Sequence, residues 1–232
     1  MLVKRLLFPV SLGLLGVSIL CMLGIWQINR LKWKNNLINE VSTSIAMEPQ
    51  ALNPKNIGID SQYLPVTFEG KFYENEIHVL FSLKPYGPGF KVIRPFKLKS
   101  GEIILVDLGF VSESKKNVLR EIEDGKISGN IFFPNETDTF TPEPNIIKNI
   151  WFSRDLEKMS NYLNTKPILV ILSSKVNDKS IVTTPLSPNF INNHLQYAIT
   201  WFSMALAWLF MSIYLIIRLV SNHKKVNLKN VI

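Results

Sequence analysis

The chain has 232 residues, a formal net charge of +8 and 47% apolar residues, which bounds it at one or two domains. Its only cysteine, Cys21, lies in an apolar run near the N-terminus, so no disulfide framework and no Cys-x-x-x-Cys copper site is available. The positive charge is not interleaved with aromatic residues in a patch of nucleic-acid type; it is read as membrane orientation and attraction to anionic lipid.

Residues 1–5 form a short cationic end with Lys4 and Arg5. From Leu6 to Ile25 about twenty residues carry no charge, enough for a helix to cross a bilayer. The run is too long for a signal-peptide core, the alternative reading, and no small-x-small cleavage site follows it. Trp26, Gln27 and Arg30 come next, as where a helix leaves the membrane through an aromatic belt. The first span is therefore set at 6–27. Gly13, Gly16 and Gly24 share a face, which admits a second helix at close range; Ala198, Ala205 and Ser212 offer a matching surface. The alternative is that glycine is common in spans. Ile28, Leu31, Trp33, Leu37, Ile38 and Val41 keep helical spacing through an extension at 28–48, which Pro49 and Pro54 end. Trp26 and Trp33, one heptad apart, read as interfacial anchors or as substrate contacts.

Residues 49–191 form a strand-rich extracytoplasmic domain. Tyr63–Tyr73 alternates and contains Pro65, which suggests an edge strand. Ile77–Leu83 is a second strand, and Lys84–Gly89 is a Pro/Gly turn. Phe90–Leu98 is a third strand. Glu102–Val111 is apolar on both faces, so it is a central strand. Asp107 inside it is costly unless paired; a structural hydrogen bond is the reading, since no second titratable group is tied to it by spacing. Lys115–Glu123 is a short helix or a polar loop. Lys126–Phe133 is a strand, and Pro134–Pro144 a loop. Ser153 caps a helix to about Leu163, with Asp155 and Glu157 in its first turn. Pro167–Val176 is the last strand, and Thr183–Phe190 a Pro/Ser linker.

The last apolar run, Ala198–Ile217, is again about twenty residues without charge. A polar cap and second span occupy 192–219, and a basic tail 220–232. At helical spacing His194, Tyr197, Ala198, Trp201, Ala205, Trp208 and Ser212 fall on one side, so one imidazole stands at the entrance of an aromatic stripe. Lys4, Arg5, Arg218, Lys224, Lys225 and Lys229 outweigh Arg30, Lys32 and Lys34, which places both termini in the cytoplasm. The fold class is thus membrane α+β: two transmembrane helices flanking a strand-rich extracytoplasmic domain with one or two short helices. His78, His194 and His223 are too scattered for a metal cluster. With no phosphate loop, no His-Glu-x-x-His and no nucleophile elbow, a binding or assembly role is expected rather than an enzyme.

Three stretches resemble the Surfeit locus protein 1 family. Leu23-Gly24-Ile25-Trp26-Gln27-Ile28-Asn29-Arg30-Leu31-Lys32-Trp33-Lys34 is similar to the family's first-span signature, Leu-Gly-x-Trp-Gln-x-x-Arg-x-x-Trp-Lys. Asn192-Asn193-His194-Leu195-Gln196-Tyr197-Ala198-Ile199-Thr200-Trp201 is similar to Asn-Asn-His-x-x-Tyr-Ala-Ile-Thr-Trp. Leu105-Val106-Asp107-Leu108-Gly109-Phe110-Val111 resembles Leu-Val-Asn/Asp-Arg-Gly-Trp-Val, with Leu108 and Phe110 where the family has Arg and Trp; any family role of that Arg is not carried over.

The resemblance implies a membrane factor for assembly of haem–copper cytochrome c oxidase, acting on its haem a-containing subunit I, with haem a synthase and membrane lipid as further partners. It also implies haem a as a transient cofactor. His194 is then the candidate axial ligand of the iron, Tyr197, Trp201 and Trp208 the lining of the slot with Trp26 from the other helix, and Arg30 or Lys34 the partner of the propionates. For His194 the competing reading is a structural helix cap, and for the tryptophans packing. A scaffold that binds no haem and holds immature oxidase subunits, docking through the glycine face of the first span and the external sheet, is the alternative function. No Arg-rich leader precedes the first span, which points to a bacterial inner-membrane protein.

Overall fold

The computed structural model describes residues 2–188 and 192–229, with side chains over 6–188 and 192–222. Lys4, Arg5, Lys224, Lys225 and Lys229, which carry much of the orientation argument, His223 and the end of the linker at Phe190 lie outside the described side chains. The chain divides into two units, Met1–Asn39 with Asn189–Ile232, and Glu40–Pro188.

The first unit is a helix pair. Helix α1 (Leu2–Ile45) and helix α3 (His194–Lys229) are the long elements of the chain. Leu6–Ile45 and His194–Asn222 are long and apolar enough to cross a membrane. Only a small share of either apolar window is buried within the protein, so these side chains need an apolar surrounding that the chain itself does not supply. Pro9 lies inside α1, where it cannot donate the backbone hydrogen bond that a helix-interior residue makes four residues back.

The second unit is built on seven strands: β1 (Gln50–Ala51), β2 (Pro65–Phe72), β3 (Ile77–Leu83), β4 (Gly87–Leu98), β5 (Ile103–Ser112), β6 (Gly125–Phe132) and β7 (Leu169–Leu172). Their order is β1-β2-β6-β7-β5-β4-β3, and β2 also pairs with β4 through Gly70–Phe72. That extra pairing joins β2, β6, β7, β5 and β4 into a closed ring, which removes its free edges. Alternation along the strands sends Val66, Phe68, Val92, Phe96, Ile104, Val106, Leu108, Ile131 and Val170 into one core. Ile77, Val79, Ile93, Leu105 and Leu169 face the other way and pack against Trp151 and Met159. Met159 belongs to helix α2 (Leu156–Leu163), whose apolar side covers this outer face.

β5 is buried along almost its whole length and lies between β7 and β4. A bulge shifts its register against β4: Val92 pairs with Gly109 but Ile93 with Asp107. Leu108 is the extra residue. Gly109 sits at φ +128, and a Cβ there would meet the carbonyl oxygen of Val182, so the bulge requires glycine. Val182 makes two backbone hydrogen bonds to Phe110 at this point, each 2.8 Å.

Several local expectations are corrected. β2 is an inner strand, and Pro65 is its first residue, paired with Asn130, where a missing N–H is tolerated. The helix cap is Asp155, not Ser153: its carboxylate accepts the N–H of Lys158 at 3.0 Å. Asn164 ends α2 in the left-handed conformation, which asparagine adopts more readily than most residues. The Pro/Gly turn is shorter than read, because Gly87–Gly89 already pair with β3 and β5. Beyond a 3-10 turn at Glu113–Lys115 the run to Glu123 is irregular. The last strand is only Leu169–Leu172 and pairs in parallel with β5.

Candidate functional site at the helix pair

The two helices run antiparallel, as their contact points show. A Cβ on Gly13 would stand 3.0 Å from the Ser212 Cβ, one on Gly16 would overlap the Trp208 indole, and one on Gly24 would stand 2.7 Å from the Phe202 ring. Further along α1, Gln27 meets His194, and Asn35 accepts a 2.8 Å hydrogen bond from Asn192. Ala198 and Ala205 are buried. The glycine face of α1 is thus covered by α3 and is not a free docking surface for another protein. Small residues on both sides bring the backbones close enough for short polar side chains to touch.

His194 is the first residue of α3. Its Nδ1 lies 2.7 Å from Oε1 of Gln27, a buried side chain. With the amide oxygen placed toward the ring, Nδ1 is the donor of this contact, and Nε2 has no hydrogen-bond partner among the described residues. A metal-bound histidine has the same arrangement: one nitrogen donates to a fixed acceptor, which sets ring and tautomer, and the other coordinates. Gln27 lies within the first-span signature and escaped sequence reasoning, because a glutamine among interfacial residues carries no charge signal.

The other anticipated residues take defined places around this contact. On antiparallel helices a step of three residues turns each toward the same flank of the pair. Arg30 is three residues after Gln27, and Tyr197 three after His194, so both border the flank on which Trp201 is half-buried. Trp26 lies further round and is 50% exposed. Arg30 stacks on two tryptophans of its own helix, its guanidinium carbon 5.9 Å from the Trp26 ring centre and 5.2 Å from that of Trp33. Tyr197 is 55% exposed. The flank is therefore open, aromatic and cationic at its His194 end. The donor set fits a haem: one imidazole with a free Nε2, aromatic faces beside it, and a guanidinium within the same two turns. Among the described residues no group of three His, Cys, Asp or Glu stands together to hold a bare metal ion.

The second unit holds two buried ionic groups. Glu76 receives a hydrogen bond from His78 Nε2 at 2.7 Å, from Arg94 Nε at 2.9 Å and from Arg120. Arg94 also donates to the Arg120 carbonyl at 3.3 Å. Burial pushes the Glu76 carboxyl up, but the His78 hydrogen bond and the charges of Arg120 and Arg94 outweigh it and hold the carboxyl below its ordinary value. Asn149 ties this group to the outer loop, donating to the Glu76 carbonyl at 2.7 Å and accepting from His78 N–H at 3.2 Å. In the second group, Asp107 accepts the Gly109 N–H at 3.0 Å and lies 3.4 Å from both Lys91 and Arg154. Arg154 also grips Glu136, whose carboxyl is raised by burial and lowered further by Arg154, to a net downward shift. Asp107 is thus a bulge cap and counter-ion, which agrees with a structural hydrogen bond. Its cations come from Lys91 and Arg154, not from position 108, where Leu108 fills the core.

Fold and site together define a class: proteins with two bilayer-length helices paired through glycines and a histidine–amide contact, separated in sequence by a small closed β-unit. This chain belongs to the SURF1 family, whose profile matches residues 14–206. A SURF1-like protein of Rickettsia prowazekii is 30% identical over 216 residues, covering 88% of this chain and 87% of the relative. Human Surfeit locus protein 1 is 31% identical over 216 residues, covering 80% of this chain and 70% of the human protein. The chicken protein of the same name is 29% identical over 220 residues, covering 82% of this chain and 69% of its own length.

Proposed function

We propose that this protein is a non-enzymatic, membrane-embedded assembly factor for haem–copper cytochrome c oxidase that holds haem a while subunit I matures. The observation that carries the reading is the His194–Gln27 contact. It joins the two end motifs of the chain, 167 residues apart, and presents a free Nε2 beside aromatic side chains. In this reading both termini face the cytoplasm of a bacterium, and haem a synthase is the donor.

A bound haem supplies its iron as the acceptor of one coordinate bond. The chain's own residues do the rest. Gln27 keeps the imidazole proton on Nδ1 and stops the ring from turning. Tyr197 and Trp201 keep water from the flank. Arg30, held by Trp26 and Trp33, presents a cation to a carboxylate without an ion pair of its own among the described contacts.

The test is an absorption spectrum of the purified protein, co-expressed with haem a synthesis, beside His194→Ala and Gln27→Leu. A haem a band that disappears in His194→Ala and shifts in Gln27→Leu supports the reading. A colourless wild-type protein on which oxidase assembly still depends refutes it and leaves a scaffold that binds no haem.

A further inference from the structure

The turn just before Trp151 departs from ordinary turn chemistry. Asn145 and Ile150 exchange two backbone hydrogen bonds of 2.8 and 3.0 Å, and the Asn149 N–H donates to the Ile146 carbonyl at 3.1 Å. The Asn145 side chain accepts the Lys148 N–H at 3.0 Å. Asn149 closes the turn at φ +48, a conformation asparagine adopts more readily than most residues. The tip of such a turn usually carries Gly, Pro, Asn, Asp or Ser. Here it carries Ile147, 99% exposed, beside the exposed Ile146. The turn is also held from below. Asn149 is tied to Glu76 and His78, and the same Glu76 binds Arg120, whose guanidinium donates to the carbonyls of Lys115 and Lys116. Lys116 in turn donates from Nζ to the Lys148 carbonyl at 2.6 Å. Three lysines, 115, 116 and 148, thus belong to the two tied loops that frame the apolar tip. Burial lowers the Lys116 ammonium below its ordinary value, and the Lys148 charge pushes the same way against Glu113. Two ammonium groups therefore lie within electrostatic reach of each other.

We propose that this turn is a membrane-surface contact: Ile147 enters the interface of an anionic phospholipid bilayer while Lys115, Lys116 and Lys148 meet its headgroups. The inference rests on the membrane reading above, since bilayer-length helices in the same chain keep a lipid surface at hand. Three observations select this occupant. The tip is a lone aliphatic side chain standing clear of the protein, so it suits a partner that yields around it, as a bilayer interface does. The cations flank the apolar side chain, the arrangement that gains from acyl chains and anionic headgroups together. The turn is stiff, so presenting the isoleucine costs little further ordering. One isoleucine and three lysines bind free vesicles weakly, and tethering through the helices supplies the effective concentration that makes the contact persist. A second apolar tip provides the contrast. Phe140 is 91% exposed in a turn closed by the Asp138 carboxylate, which accepts the Phe140 N–H and the Thr141 hydroxyl, each at 2.9 Å. Its loop carries Glu136, Asp138 and Glu143 and no cation. Exposure is similar there, but the charge is opposite, and anionic lipid repels it.

The experiment places one nitroxide on the full-length protein, in a Cys21→Ala background, at Ile147→Cys or at Phe140→Cys. Both positions are exposed, so neither label disturbs the core. The protein is set in nanodiscs of phosphatidylcholine, or of phosphatidylcholine mixed with phosphatidylglycerol. Power-saturation spectra compare access by oxygen, which partitions into lipid, with access by a water-soluble nickel chelate. At position 147 the oxygen-to-nickel ratio is expected to rise about threefold on the anionic discs. It should fall back when Lys115→Gln and Lys148→Gln are added. Position 140 should keep the aqueous ratio on both lipids. An aqueous ratio at 147 on anionic discs overturns the inference. So does protection at 147 that ignores lipid charge and survives the lysine changes, as contact with a second copy of the chain would give. A chain that does not incorporate into the discs sinks the inference and the membrane reading beneath it.

Discussion

Glu76→Gln removes one negative charge and almost no volume from the first buried ionic group. In the wild type this carboxylate neutralises one of two arginines, 5% and 4% exposed, and accepts hydrogen bonds from both. Without the charge two guanidiniums remain out of water, linked by the bond from Arg94 to the Arg120 carbonyl. Breaking a buried ion pair from one side costs about 3–5 kcal/mol. For a unit of this size each kcal/mol lowers Tm by about 2–4 °C, so a loss of about 6–20 °C is expected. The assay is thermal unfolding of the full-length protein in detergent, followed by circular dichroism at a wavelength dominated by the sheet. Glu69→Gln is the control: its pair with Lys99 spans 2.7 Å but is solvent-exposed on both sides, and such pairs contribute under about 1 kcal/mol. If Glu76→Gln melts within 2 °C or so of Glu69→Gln, the group is not acting as a buried counter-ion and the reasoning fails.

The remaining predictions concern pH, the bulge and the helix pair. Glu76 and Glu136 have folded-state carboxyls below their ordinary value of 4.5. Their stabilisation is fully present above that pH and is lost as pH falls through the lowered values; Tm measured from pH 6 downward should drop steeply only below about 4.5, and less steeply in Glu76→Gln. Asp107→Leu should cost about 3–5 kcal/mol by leaving buried Lys91 without its counter-ion, Arg154 with Glu136 alone and the Gly109 N–H without its acceptor, read as a lower denaturant midpoint; a change under 1 kcal/mol would show that the bulge holds itself. Gly16→Val drives a side chain into the Trp208 indole and should cost about 1–3 kcal/mol of helix-pair stability. Ser82→Val, at a residue of β3 away from these contacts, provides the comparison.

Much of the strand pattern was legible because burial imposes a period of two, and β5, buried on both faces, announced itself by a run that is apolar except for Asp107. The closure of the ring was not legible: it depends on Gly70–Phe72 reaching Phe96–Leu98, a pairing that leaves no mark on local periodicity. The bulge was hidden for a similar reason, although Gly109 one step after the odd Asp107 marked the spot. Asp107 stood out as an acid in an apolar strand. Lys91 and Arg94 in the neighbouring strand carried the same kind of signal, and with Arg120 they are what the acids needed. Ser153 and Asp155 were both plausible caps; the carboxylate that reached Lys158 N–H decided between them. At the helix pair, His194, the glycines and the small residues of α3 were visible as a pattern, whereas Gln27 became meaningful only once the two ends of the chain met.

The contact between Gln27 and His194 also explains why the glycines lie where they do. An amide buried against a helix of apolar neighbours must find a partner inside the protein, since leaving it unmade costs about 1–3 kcal/mol. Its side chain is short, so the partner helix must come close, and Gly24, one turn earlier, leaves room for the tip of the Phe202 ring, which a Cβ there would meet at 2.7 Å. The interhelical hydrogen bond itself contributes little, about 0.6 kcal/mol on average in membrane helices. Its effect is on geometry: the contact holds the ring of His194 against Gln27 in one orientation. Preorganisation of that kind lowers the ordering cost of binding, so Gly24→Val, which pushes α3 away without touching the imidazole, should weaken haem binding in the same direction as Gln27→Leu. If Gly24→Val leaves haem affinity unchanged while lowering Tm, the glycine serves packing alone and the link between helix approach and ligand readiness is broken.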